Sequence, residues 1–115
     1  MHCYDRQGNE IDMFTAAMKL PKYRRVLGDH IIGYWISTVW LGIDHGWGDR
    51  PMIFETMIWG PSDKILNYQD RYSTEVAARL GHVEAIAWVR ANFSLERHHA
   101  RHHSRSKSRS PRPPA

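Results

Sequence analysis

Asp44 and His45, in the stretch Asp44-His45-Gly46-Trp47-Gly48-Asp49-Arg50, together with Glu55 and His82, are the side chains best suited by type to hold a metal or move a proton. Carboxylate oxygen and imidazole nitrogen of this kind suit a zinc-type or manganese-type ion, so Asp44, His45 and His82, with Glu55, are the metal candidates. Their spacing adds little, because residues 1–96 contain no His-x-x-x-His, Cys-x-x-Cys or His-Glu-x-x-His run. The same stretch also reads as a plain turn, with Asp bonding its own backbone, Gly supplying positive φ and Trp47 folding back on the core. Glu55 stands among Phe54, Thr56, Met57 and Ile58, where an ionised carboxylate must face the open side or be paired. Arg50, Arg79 and His82 are its candidate partners, and a paired structural carboxylate outweighs a general acid or base. Gly81 precedes His82 inside a helical pattern at a cost of about 1 kcal/mol relative to Ala, which points to a close approach there by Trp59 or Trp88. Nucleophilic catalysis has less support, since Cys3 has only His2 beside it and Ser37, Ser62 and Ser73 lie in no nucleophile motif.

The elements that must position these residues follow from pattern. Cys3-Tyr4 and Glu10-Ile11 flank turn-forming residues, as in a small edge hairpin, and Asp12 caps a short helix that Pro21 is expected to stop. Tyr23 to Leu27 reads as strand, Gly28-Asp29 as a turn, and His30 to Leu41 as a long strand. Gly42 to Arg50 is a loop longer than a hairpin needs, Met52 to Trp59 is the next strand, and Ile65 to Tyr72 is a weaker fourth. One face of the long strand carries Tyr34, Ile36, Thr38 and Trp40, the other Ile31, Trp35, Val39 and Leu41, so helices should cover one face and a partner chain is a candidate cover for the other. Ser73-Thr74 caps a second helix to about Ala91, whose stripe Val76, Leu80, Val83 and Ala87 is expected to pack on the sheet. The fold class is α+β: an antiparallel meander of three or four strands, with a short N-terminal and a longer C-terminal helix packed on it.

At 115 residues, 42% hydrophobic and 24% charged, the chain supports one core and excludes multidomain enzyme architectures. Its division is a compact domain over 1–96 and a basic His/Arg/Ser/Pro-rich tail over 97–115 that cannot bury a core and is expected to be disordered. The tail holds Arg97, Arg101, Arg105, Lys107, Arg109 and Arg112 without an acid, whereas the domain carries ten cations and twelve acids. The basic balance belongs to the tail, which offers sequence-independent attraction to nucleic acid or only solubility. No run is apolar and long enough to span a membrane, no signal core opens the chain, and the single cysteine forms no internal disulfide, so a cytoplasmic protein is expected. Five Trp and five Tyr exceed ordinary need, and Trp47 with one of Trp35 and Trp40 is expected to be exposed. Arg50 is the only Lys or Arg between Ile31 and Trp59, which argues against a sheet face that stacks RNA bases.

The stretch STVWLGIDHGWGDRPMIFETMIW (37–59), followed by RYSTEVAARLGH (71–82), with CYDRQGNEI near the start and Tyr23-Arg24-Arg25-Val26, resembles a family of small uncharacterised proteins encoded by bacteriophages of actinobacteria. The resemblance spans roughly residues 3–91 and implies a phage accessory protein in the host cytoplasm, with no assigned catalytic residue. It raises Asp44, His45, Trp47, Glu55 and His82 as a shared surface. The combined expectation is a non-catalytic protein without a cofactor that binds a protein partner or itself, its tail adding electrostatic attachment. Two alternatives stand beside it: a nucleic-acid-associated protein working mainly through the tail, and a small metal-dependent enzyme built on the Asp44-His45 loop.

Overall fold

Asp5 folds the chain back on itself at the start: its Oδ1 accepts the backbone N–H groups of Gln7 (3.0 Å) and Asn9 (2.8 Å), and β1 (Cys3–Tyr4) pairs antiparallel with β2 (Glu10–Ile11). The structure is a computed structural model and describes residues 2–44 and 48–93. Asp12 caps α1 (Met13–Tyr23) by accepting from the Thr15 N–H at 2.7 Å.

Pro21 does not end α1, contrary to its local preference; the helix runs through it to Tyr23. Tertiary contacts at Tyr23 hold this last turn. Its ring meets Trp40 edge-on at 5.0 Å, its hydroxyl donates to Gln7 Oε1, and its carbonyl accepts from Arg6 Nη1 at 3.0 Å.

The strands form one antiparallel meander in the order β3 (Arg25–Ile31), β4 (Tyr34–Trp40), β5 (Phe54–Trp59), β6 (Ile65–Tyr72). The expected turn at Gly28-Asp29 is instead the middle of β3. The reversal falls at Ile32-Gly33, where φ is +52° and +83°, the paired left-handed conformation a tight hairpin needs. Gly28 serves the strand differently: the Trp35 indole, on the facing strand two residues from the Ser37 that opposes Gly28, lies where a Cβ would project.

Thr74 caps α2 (Glu75–Phe93), its Oγ1 accepting from Ala77 N at 3.1 Å. The face α2 lays on the sheet is the opposite of the one hydrophobicity selects. Ala78, Gly81, His82, Ala85 and Val89 are buried, while Val76, Leu80 and Val83 point to solvent. Small residues win this side because they let the helix sit close: the Tyr72 ring occupies the space a Cβ on Gly81 would take, in place of the expected Trp59 or Trp88. Arg6 ties the hairpin to the start of α2 through two parallel bonds to Glu75, Nε to Oε1 at 2.9 Å and Nη2 to Oε2 at 2.7 Å. That pairing, helped by Arg79, holds the Glu75 carboxyl below the ordinary carboxylate range.

Between α2 and the sheet lie two apolar clusters, one around Trp40, Phe54, Ile53 and Ala78, the other around Tyr34, Ile36, Ile58, Tyr68 and Val89. Trp40 is fully buried, and Trp35 is the half-exposed one of the expected pair. Thr38, Thr56 and His82 lie between the clusters along their elements, so the core is divided by a polar belt.

Candidate functional site

The polar belt is the first place where chemistry-bearing side chains converge. Thr38 on β4 and Thr56 on β5 are register partners, and their hydroxyls meet at 2.6 Å. His82 comes down from α2 with Nδ1 2.7 Å from Thr38 Oγ1, and its Nε2 reaches Asp29 Oδ2 on β3 at 2.8 Å. A carboxylate only accepts, so Nε2–H donates to Asp29, while Nδ1 shares a hydrogen bond with the Thr38 hydroxyl, which shares another with Thr56. Acid, imidazole and hydroxyl stand in the order of a nucleophilic triad, yet Thr38 and Thr56 have no exposed surface and His82 has 1%. No substrate reaches that hydroxyl in this arrangement, and its bonds satisfy buried polar groups. The sequence gives no signal for the pairing, because Asp29 and His82 are 53 residues apart and Asp29 carries the local signature of a turn.

The expected shared surface divides. Glu55 faces the other side of the sheet from His82, since Thr56, its neighbour in β5, is the residue turned to the helix. Glu55 is paired, as its surroundings require, but with neither Arg50, Arg79 nor His82. Its Oε2 accepts from Gln69 Nε2 at 2.6 Å and from Arg71 Nε at 3.0 Å, and Arg71 is its direct cross-strand partner on β6. Asp44 braces the loop, with Oδ1 accepting the Met52 N–H at 2.9 Å. His45 and Trp47 lie outside the described residues, as do the tail cations Arg97, Arg101, Arg105, Lys107, Arg109 and Arg112. Among the described residues no three His, Cys, Asp or Glu side chains are grouped to hold a metal ion. Cys3 is buried in the first apolar cluster. None of the helices described is long and apolar enough to cross a membrane.

The open face of the sheet is the second place, and it forms a groove. Val39 on β4 and Glu55, Met57 and Trp59 on β5 make its floor, and the end of α1 with the start of β3 makes its wall, enclosing about 560 Å³. The wall supplies Lys22, Arg24 and Arg25, which enter no ion pair among the described residues. Basic residues thus do border this face, arriving from α1 and β3 rather than from the strands that carry the tryptophans. One of the two rings on this face is already covered: Trp35 lies over Gly28, with His30 at 4.6 Å and the Arg25 guanidinium at 5.3 Å. The groove therefore joins an apolar floor, one neutralised carboxylate and three cations outside any ion pair among the described residues, of which Arg25 also lies over Trp35.

Fold and groove together define a small α+β domain with one helix-covered sheet face and one open, cationic-rimmed face. Compared with protein-family models, curated proteins and solved structures, the chain matches none.

Proposed function

We propose that this chain is a non-catalytic binding protein whose open-face groove holds an acidic, partly apolar segment of a partner polypeptide. The observation that carries this reading is the groove itself: Val39, Met57 and Trp59 offer apolar contact while Lys22, Arg24 and Arg25 line the wall without ion pairs among the described residues. An extended acidic segment satisfies both parts, placing apolar side chains on the floor and carboxylates toward the wall. Stacked bases fit less well, because Trp35 is already covered and the floor contains Glu55. The burial of Thr38 and His82 supports a non-catalytic role. The tail, with six cations and no acid, adds electrostatic attachment, in keeping with the phage accessory role that the family resemblance implies.

Fluorescence anisotropy with the full chain tests this. A short labelled peptide of alternating Glu and Leu is expected to bind saturably, and Arg24→Glu with Arg25→Glu to weaken it at least about tenfold, or 1.4 kcal/mol. Equal binding of a Lys-Leu peptide, or no binding of either, overturns the reading. Tight binding of generic DNA or RNA that disappears when the six tail cations become Gln favours a nucleic-acid tether instead.

A further inference from the structure

The outer side of α2 carries a second surface, and its pattern specifies what fits it. Val76, Leu80 and Val83 are 71%, 62% and 60% exposed, and Ala87 continues the line. They are separated by four, three and four residues, the alternation of a coiled-coil seam, on the side of the helix away from Ala78, Gly81, Ala85 and Val89. Packing on the sheet already fixes α2, so this seam is presented on a preformed helix and a partner need not order it.

We propose that two copies of this chain associate through this seam, α2 beside α2 and parallel. The flanking charges suit a second copy laid parallel. Arg79 lies on one flank of the seam and Glu84 on the other, at the positions that face each other across a parallel pair, five residues apart. Each Arg79 then meets the Glu84 of the second copy, giving two ion pairs related by the twofold axis. Arg90, three residues beyond Ala87, falls on the seam itself and ends its apolar run, so the paired length is Val76 to Ala87. Glu84 is exposed and makes no ion pair among the described residues. Arg79 gives two of its five N–H donors to Glu75 and keeps the rest. A seam of four positions is smaller than a standard interface of about 1,600 Å², so association is expected to be weak and to depend on concentration. It uses a different surface from the groove, and either proposal stands or falls without the other.

Sedimentation equilibrium of the full chain over a wide concentration range, with mixing of charge-reversed variants, tests the pairing. The chain is expected to move from monomer to dimer mass, and Leu80→Glu, an exposed change checked for folding by circular dichroism, to raise the dissociation constant at least tenfold. Arg79→Glu and Glu84→Arg should each associate poorly alone, whereas an equimolar mixture should recover dimer, since the mixed pair restores both bridges. A strictly monomeric chain at every concentration overturns the proposal. So does a dimer that tolerates Leu80→Glu, or single variants that dimerise as well as their mixture.

Discussion

Thr38 is the joint of the buried belt, and substituting it separates an internal network from a reactive site. Thr38→Val keeps shape and strands two buried groups at once: Nδ1 of His82 and the Thr56 hydroxyl each lose their partner. At roughly 1–3 kcal/mol for each orphaned group, the cost is about 3 kcal/mol, a large share of the 5–15 kcal/mol that holds a domain of this kind. Thr56→Val removes one bond and leaves Thr38 joined to His82, so it costs about 1 kcal/mol. In the double variant only Nδ1 of His82 stays unpaired, and adding Thr56→Val to Thr38→Val should be neutral or stabilising. Urea denaturation with unchanged m values reads the cycle directly. Additive losses, or a Thr56→Val variant less stable than Thr38→Val, would refute the reading of Thr38 as the link between His82 and Thr56.

Two further outcomes follow from particular contacts. Gly81→Ala gains about 1 kcal/mol of helix propensity yet places a methyl in the Tyr72 ring, so thermal unfolding should show a net loss of about 2 kcal/mol; a neutral variant would contradict the close approach of α2. The Glu75 carboxyl is held below its ordinary value near 4.5, first by its hydrogen bonds from Arg6, so its contribution is complete above that value and is lost as pH falls through the lower folded value. Arg6→Gln should therefore lower Tm at neutral pH by an amount that shrinks below pH 4.5, and a difference independent of pH would contradict the pairing.

The meander, both helices and the Asp12 and Thr74 caps were legible because each rests on local chemistry that nearby residues complete. Three elements were not, and each was decided by a distant group. Pro21 is carried inside α1 by contacts at Tyr23; Gly28-Asp29 is strand because Trp35 needs the space and His82 takes the carboxylate; α2 turns its smaller residues inward because Tyr72 packs on Gly81. In the candidate site, the pairing of Glu55 was readable from its apolar neighbours, but Arg71 was not, since the register of β5 on β6 brings it there. The groove was hidden for the same reason: its floor and its cations come from separate segments, and no single stretch of sequence contains both.

The groove is tested most directly by recording the methyl spectra of the full chain while the Glu-Leu peptide is added. The Met57 and Val39 methyls, on the groove floor, should shift progressively and saturate, and those of Leu80 and Val83, on the outer side of α2, should stay in place. Shifts confined to Leu80 and Val83, or none at Met57 and Val39 while the peptide binds, would contradict the assignment of this face as the binding surface.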